Sequence, residues 1–182
     1  KNITLPGEHN RKNATLVIKA LKHMGVDTEE LEIYQAINSF PGSGRRFEKL
    51  AENLYSDYGH HPVEIQATLQ MAKELSNDVV LVYQPHQNVR QHEIIGQYTN
   101  DIFRDANEIY WLPTYLTREN PDLPILAPQQ LAKNIDKEKV HFAELDDGLW
   151  QEITAARNSG KLVLCMGAGT IDGWIREQLA KN

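Results

Sequence analysis

The sequence predicts an α/β fold with a doubly wound, mostly parallel sheet and a helical segment at its N-terminal end. From residue 79 onward, short apolar runs alternate with amphipathic segments, and no long series of hairpins is present. The runs at residues 79–83 and 162–166 are continuously apolar, and the first of them is strongly β-branched. Such runs are typical of strands that are buried on both faces of a parallel sheet.

The first 42 residues predict two helices. Apolar side chains recur at helical spacing over residues 10–24, and Gly25 follows as a stop. Residues 27–30 are expected to cap a second helix that runs toward Pro41. Over residues 47–57 the pattern changes to two short strands joined by a tight turn at 52–53, and Pro62 suits the first turn of a helix over 62–75.

The remaining elements alternate along the chain. The predicted strands cover residues 79–83, 108–112, 140–143 and 161–166, and the predicted helices cover 91–105, 129–135, 146–158 and 171–180. A proline-rich loop over 113–128 separates the second of these strands from the next helix. In such a sheet, ligands bind beyond the carboxyl ends of the strands. We therefore expect three polar segments, residues 57–62, 84–90 and 167–170, to meet at that edge.

Composition excludes several classes of function. The net charge of −6 and the pI near 5.6 leave no basic stripe to neutralise phosphates, so we expect no nucleic-acid partner. A single cysteine, Cys165, favours a reducing, cytoplasmic compartment, and the sequence shows neither a membrane-spanning stretch nor a signal pattern. The chain begins without methionine, which leads us to expect a piece of a longer protein.

Several residues could carry chemistry, each with a structural alternative. Residues 167–169 form a glycine turn between a strand and a helix that could bind an anion or only turn the chain, and Asp172 stands where a dinucleotide fingerprint requires glycine. Arg45 and Arg46 could bind phosphate or carboxylate, or could be solvated surface side chains. Cys165 is simplest as a core residue rather than a nucleophile.

Histidines raise the question of a metal site. His60, His61, His86 and His92 are close in sequence, yet no pair of histidines has helical ligand spacing and no cysteine cluster accompanies them. We therefore predict no transition-metal site, and these rings can equally be hydrogen-bonded loop residues.

Five ordered stretches together resemble the Mur ligases, the ATP-dependent amide-forming enzymes of peptidoglycan precursor synthesis. They are LPGEHNRKNA at 5–14, FPGSGRRFE at 40–48, DYGHHP at 57–62, YQPH at 83–86 with Arg90, and GAGTI at 167–171. Within the family, the chain looks most like the members that join L-alanine to UDP-N-acetylmuramate. The resemblance implies that residues 1–42 are the helical tail of a central ATP-binding domain and that residues 43–182 are the Rossmann-like C-terminal domain.

The resemblance also implies a mechanism and its partners. ATP phosphorylates the substrate carboxylate, the amine of the amino acid attacks the acyl phosphate, and the tetrahedral intermediate collapses to the amide with loss of phosphate. Mg²⁺ would be bound mainly by the central domain, which is missing from this chain together with the N-terminal domain. No glycine-lysine phosphate loop is present either, so we expect the chain alone to be inactive.

The same resemblance implies roles for individual residues. Arg46 and His60 match catalytic positions, and Arg46 matches a residue that reaches the nucleotide phosphates. The remaining implied roles are nucleotide binding by Asn10, Asn13 and Asp57, and substrate binding by Tyr58, His60, His86, Arg90, Gly167, Ala168, Gly169 and Thr170.

Departures from the family pattern leave alternatives open. Gln87 stands where some relatives have a second arginine, so a carboxylate clamp would depend on Arg90. A ligase that attaches a whole tripeptide to the same sugar nucleotide is one alternative. A non-catalytic binding module that retains the fold is another, and a metal-dependent hydrolase is a third.

Overall fold

A computed structural model describes residues 2–28 and 31–181, in which six strands form one sheet. The strands are β1 (Glu48–Ala51), β2 (Leu54–Asp57), β3 (Val79–Tyr83), β4 (Glu108–Trp111), β5 (Val140–Phe142) and β6 (Leu162–Met166). The helices are α1 (Glu8–His23), α2 (Leu31–Asn38), α3 (Pro62–Leu75), α4 (Asn88–Ile94), α5 (Pro128–Leu131), α6 (Asp147–Asn158) and α7 (Ile171–Lys181).

The sheet has the order β1-β2-β6-β3-β4-β5, and the predicted α/β fold is confirmed. Only β1 and β2 are antiparallel, whereas every other neighbouring pair is parallel. The two continuously apolar strands, β3 and β6, lie side by side at the centre, and every residue of both is buried. Central position explains their composition, because helices cover both faces of the sheet.

Alternate residues of the central strands enter two separate cores. Leu81 and Leu164 pack with residues of α3, α4 and α5 on one face. On the other face, Val82 and Cys165 pack with residues of α6 and α7. This two-sided arrangement makes the sheet doubly wound, as predicted, and it places Cys165 in the core.

The β1–β2 hairpin and the start of α3 also agree with the sequence. Asn53 takes a positive φ of 55° in the turn between the two strands, a conformation that asparagine tolerates better than most residues. Pro62 is the first residue of α3, and His61 and Glu64 form a capping box there. The hairpin and α3 therefore deliver the polar segment 57–62 to the carboxyl end of β2.

The N-terminal helix α1 lies against α3 through one polar cluster. Arg11 forms a bidentate ion pair with Glu74, with N–O distances of 2.8 and 2.7 Å. Glu74 also accepts the backbone N–H of Gly7 at 2.9 Å, and Gln70 accepts that of Glu8 at 2.9 Å. The predicted helix over 10–24 is confirmed, whereas the predicted cap residues Glu29 and Glu30 of the second helix lie outside the described residues.

The predicted helix over residues 91–105 is wrong beyond residue 97. Helix α4 ends at Ile94, a single 3₁₀ turn follows over Ile95–Gln97, and Tyr98 is extended with ψ 101°. Tyr98 and Phe103 are nevertheless fully buried, as the apolar pattern indicated. The extended backbone at Tyr98 still buries its ring and brings its hydroxyl to 2.7 Å from Gln91 Oε1 in the interior. Similarly, α5 is shorter than predicted, since its last residue is Leu131 instead of residue 135.

Candidate functional site

The three predicted polar segments meet at the carboxyl edge of the central strands. β6 lies between β2 and β3, so the chain segments that follow all three strands are neighbours. Gly167 donates its N–H to the carbonyl of Asp57 at 3.0 Å, and Gln84 donates its N–H to the carbonyl of Met166 at 2.9 Å. The expectation that these segments come together is confirmed.

Gln84 organises the glycine turn after β6, and the sequence analysis did not single it out as a site residue. Its side chain is buried, donates through Nε2 to the Thr170 hydroxyl at 3.1 Å, and accepts the N–H of Ile171 at 3.0 Å. A Cβ on Gly169 would lie 2.5 Å from Gln84 Oε1 and 2.6 Å from the Cβ of Tyr115. Glycine is thus required at residue 169 by close packing.

Arg45 and Arg46 are adjacent but have different surroundings. Arg45 donates to the carbonyl of Gly167 at 3.0 Å, lies 4.6 Å from the ring centroid of Tyr58, and is 3.5 Å from an Asp172 oxygen. Arg46 is exposed, and its guanidinium lies 5.6 Å from the Tyr58 centroid. Within the part of the chain that the structure describes, no carboxylate pairs with Arg46.

A small ionic network holds the turn that carries these arginines. Glu48 accepts the N–H of Arg45 at 2.7 Å and pairs with Arg176 at 2.6 Å, and Asp172 accepts the Ser56 hydroxyl at 2.6 Å. Burial raises the pKa of Asp172, but hydrogen bonds from Arg176 and Ser56 outweigh that effect and leave the pKa lowered. The network supports a positive φ of 56° at Arg45.

Asp57 has a structural task in this conformation. One carboxylate oxygen accepts the N–H of Phe47 at 2.8 Å, and the other accepts the N–H of Gly59 at 2.7 Å. Burial is the largest influence on this carboxyl group, and it leaves the pKa raised despite the two backbone hydrogen bonds. The side chain therefore ties the segment after β2 to the turn before β1.

Four aromatic rings form a row along the edge of the sheet. The centroid distances are 5.7 Å from Tyr58 to His60, 5.3 Å from His60 to His86, and 5.7 Å from His86 to Tyr115. The last two rings are stacked at an interplanar angle of 13°. The row brings together residues that follow β2, β3 and β4, and Tyr115 is a member that sequence reasoning missed.

His86 has a cationic environment. Its pKa is lowered, first by burial, then by the charges of His60 and Arg90 and, more weakly, Arg118, while Glu119 acts in the opposite direction. The buried ring nitrogen Nδ1 has no hydrogen-bond partner among residues 2–28 and 31–181. Arg90 likewise has no carboxylate partner in those ranges. The guanidinium of Arg90 is therefore available to an anionic ligand, whereas Nδ1 of His86 is enclosed in this conformation.

Glu119 clamps the proline-rich loop onto the start of α4. Its carboxylate accepts the N–H groups of Asn88 at 3.0 Å, Val89 at 3.1 Å and Thr117 at 2.9 Å. Burial opposes the charged form of Glu119, but the three N–H donors prevail and its pKa is lowered. No sequence pattern marked this residue, because two of its three donors, Asn88 and Val89, lie about thirty positions away.

Asn10 and Asn13, which the resemblance connects with a nucleotide, lie apart from the ring row. Both are on α1. Asn10 donates to the carbonyl of Pro6 at 3.0 Å and lies 3.4 Å from Met71 Sδ, whereas Asn13 is exposed. Their assignment stays a prediction.

Other chemistry is limited in the described ranges. Residues 2–28 and 31–181 contain no cluster of three or more His, Cys, Asp or Glu that could hold a metal ion. Burial raises the pKa of the Cys165 thiol to about 12, which makes it unreactive near neutral pH. None of the helices in these ranges has the length and apolar character needed to span a bilayer.

Comparison with known proteins agrees with this fold. A family model described as "Mur ligase, glutamate ligase domain" matches residues 45–169. The chain is 31% identical over 179 residues to the UDP-N-acetylmuramate–L-alanine ligase of Jannaschia sp. (strain CCS1), covering 94% of this chain and 37% of the relative. It is 32% identical over 179 residues to the protein of that name from Agrobacterium fabrum, again covering 94% and 37%.

Solved structures give the same result. The crystal structure of UDP-N-acetylmuramate–alanine ligase MurC from Thermotoga maritima superposes with a TM-score of 0.70 at 26% identity, covering 97% of this chain and 38% of that one. The chain therefore belongs to the Mur ligase family and carries its C-terminal, Rossmann-like domain. It spans 37–38% of the length of curated relatives named UDP-N-acetylmuramate–L-alanine ligase.

Proposed function

We propose that this chain supplies the amino-acid-binding and phosphate-contacting part of an ATP-dependent ligase that joins L-alanine to UDP-N-acetylmuramate. The observation that carries the proposal is the pair of guanidinium groups, Arg46 in the turn before β1 and Arg90 in α4, that form no ion pair with a carboxylate in the described ranges. Arg46 lies 5.6 Å from the Tyr58 ring and the charge of Arg90 lowers the pKa of His86, so both lie beside the ring row. Planar guanidinium groups suit phosphate and carboxylate ligands. The relatives named for L-alanine support the finer assignment.

The amino-acid pocket would use the ring row and the start of α4. Arg90 would bind the carboxylate of L-alanine, and Tyr58, His86 and residues 167–170 would surround it. The Nδ1 atom of His60 lies 3.2 Å from the carbonyl of Tyr58. If Nδ1 carries the proton, Nε2 keeps its lone pair and can accept a proton from the attacking amine.

The nucleotide side would use Arg46 together with Asp57, Asn10 and Asn13. Arg46 would reach the transferred phosphate and stabilise the charge that develops on it. Asp57 would act through the backbone that it orders, because both of its oxygens already accept N–H groups. Residues 2–28 and 31–181 contain no cluster of carboxylates that fits a Mg²⁺ site, so we assign the ion no ligand among them and derive no step through it.

The division of the chain is part of the same proposal. Residues 1–42 would be the tail of the central ATP-binding domain, and residues 43–182 the C-terminal domain. Because the sequence has no glycine-lysine loop to hold ATP, we expect the chain alone to form no amide. Incubation with ATP, Mg²⁺, L-alanine and UDP-N-acetylmuramate should release no phosphate above the level of a protein-free reaction.

Binding of L-alanine to the whole chain tests the proposal directly. In ¹⁵N-labelled protein, L-alanine should shift the amide resonances of residues 167–170 and the ring resonances of His60 and His86. Arg90→Gln should abolish these shifts, whereas Arg104→Gln, which changes an exposed arginine paired with Asp101, should not. Binding that is unaltered in Arg90→Gln would overturn the role given to that residue.

The same titration separates the alternatives. A tripeptide that binds where L-alanine does not would favour the tripeptide-attaching ligase. Failure of both ligands to bind, with ATP also without effect on the spectrum, would favour a non-catalytic module.

A further inference from the structure

A row of hydrogen bonds through the interior connects the backbone carbonyls of His60 and His86. The Tyr83 hydroxyl lies 3.0 Å from the carbonyl oxygen of His60 and 2.9 Å from the Tyr98 hydroxyl. The Tyr98 hydroxyl lies 2.7 Å from Oε1 of Gln91, whose Nε2 donates to the carbonyl of His86 at 2.9 Å. Tyr83, Tyr98 and Gln91 are all 0% exposed.

The row has too few protons for its contacts. Because Gln91 Nε2 donates to His86, the amide oxygen of Gln91 must face Tyr98, where it can only accept. Four oxygen atoms therefore stand in line, from His60 through Tyr83 and Tyr98 to Gln91, with three gaps between them. Burial raises the pKa of both tyrosines, so each hydroxyl keeps its one proton at neutral pH. Two protons cannot fill three gaps.

Two arrangements place a proton between the hydroxyl oxygens of Tyr83 and Tyr98. In the first, Tyr98 donates to Tyr83 and Tyr83 donates to His60, so Gln91 Oε1 receives no proton. In the second, Tyr83 donates to Tyr98 and Tyr98 donates to Gln91, so the carbonyl of His60 receives none. An acceptor without a proton is costly where water is excluded, and each arrangement leaves one acceptor without a proton, at opposite ends of the row.

We propose that Tyr83 and Tyr98 are positioning residues for the two site histidines, and that the shared protons couple the anchoring of His60 to that of the segment carrying His86. Tyr83 serves the backbone of His60 directly, whereas Tyr98 serves the backbone of His86 through the amide of Gln91. A stronger hydrogen bond from Tyr83 to the His60 carbonyl therefore means a weaker one from Tyr98 to Gln91. This inference uses the proposed amino-acid site only for its consequence on binding, since the coupling itself needs no ligand.

Carbonyl ¹³C shifts of the whole labelled chain test the coupling, because a carbonyl carbon resonates at higher frequency when its oxygen accepts a hydrogen bond. Tyr83→Phe should move the His60 carbonyl to lower frequency. Tyr98→Phe should move it to higher frequency, since the Tyr83 proton then has no other acceptor. Gln91→Met should also move the His60 carbonyl to higher frequency. It removes Oε1 of Gln91, the acceptor that competes with the His60 carbonyl, and leaves both tyrosines in place.

Tyr110→Phe is the matched control, since it removes a strand tyrosine hydroxyl that lies 3.3 Å from Glu152, a residue of α6. It should leave the His60 carbonyl unchanged. A shift of that carbonyl in the same direction in Tyr83→Phe and Tyr98→Phe would overturn the coupling, because a purely structural role loosens both histidines together. Should either variant fail to fold, Gln91→Met decides by its sign.

The consequence for binding is measured in the same samples. Each phenylalanine variant should weaken L-alanine binding about fivefold, the equivalent of one lost hydrogen bond, whereas Tyr110→Phe should not. Unchanged affinity in both variants would overturn the positioning role. If the unaltered chain does not bind L-alanine, the proposed function fails, while the carbonyl shifts still decide whether the proton-sharing row exists.

Discussion

At the scale of single residues, unpaired cations characterise this site. Arg46 and Arg90 form no ion pair with a carboxylate in the described ranges, and Glu119, whose charge raises the pKa of His86, already accepts three backbone N–H groups. Among residues 2–28 and 31–181, five non-glycine residues have a positive φ, and four of them, Arg45, Phe47, Gln87 and Arg118, flank the same edge. Strained backbone of this kind tends to collect where side chains must be aimed at a ligand.

The charge of Arg118 should have a measurable effect on the pKa of His86. Removing it by Arg118→Gln favours the protonated imidazole, so we expect the pKa of His86 to rise. Histidine ring resonances followed through a pH titration give this value directly. Arg104→Gln should leave it unchanged, and an equal rise in both variants would indicate a general charge effect instead of a local one.

At the scale of elements, the site depends on how closely the segment after β6 packs against its neighbours. Gln84 at the end of β3 and Tyr115 in the loop after β4 both occupy the space that a side chain on Gly169 would need. Close packing of this kind tolerates no added atom at residue 169. Glu119 adds a second constraint by joining that loop to α4.

Gly169→Ala should lower the free energy of unfolding by about 1–3 kcal/mol, because the new methyl group meets atoms at 2.5–2.7 Å. Gly173→Ala is the matched control in the adjacent helix α7, where nothing lies within 4 Å of the added Cβ. It should stabilise the helix by about 0.5–1 kcal/mol. Urea unfolding measures both, and equal stability of the two variants would contradict the packing described here.

At the scale of the whole molecule, the described residues up to Gly42 contact the rest of the chain chiefly where α1 meets α3. Glu74 is the centre of this junction. Its hydrogen bonds with Arg11, the N–H of Gly7 and Gln70 lower its pKa from 4.5 to about 2. The chain spans about 38% of its relatives' length, so this junction is also where the proposed central and C-terminal domains would meet.

Acid should release α1 before it unfolds the sheet. A carboxyl group whose pKa is lowered on folding stabilises the folded state above its unfolded pKa, and that contribution is lost as the pH falls from about 4.5 toward 2. Hydrogen-exchange protection of α1 amides should therefore fall across this window while that of β3 persists. Glu74→Gln should give weak α1 protection at every pH, whereas Glu138→Gln, in an exposed loop, should behave as the unaltered chain. Protection of α1 that does not change with pH would contradict this.

The sequence determined the strands and most helices, because buried parallel strands need continuous apolar runs and helix starts need recognisable caps. It also placed the polar segments at one edge, since strand direction alone brings carboxyl ends together. It misassigned residues 98–105, where Tyr98 and Phe103 satisfy a helical apolar pattern from a turn. An apolar side chain needs burial, and more than one backbone path can provide it.

Tertiary structure alone decided which side chains of the site contact one another. Gln84, Tyr115 and Glu119 contact partners that are distant in sequence. The row of hydrogen bonds between the carbonyls of His60 and His86 depends on three buried side chains whose spacing no local pattern encodes. Local sequence specifies which chemistry is available at the end of each strand. Which groups touch, and which are left without a partner, depends on packing between segments, because hydrogen bonds and close contacts act over only a few ångströms.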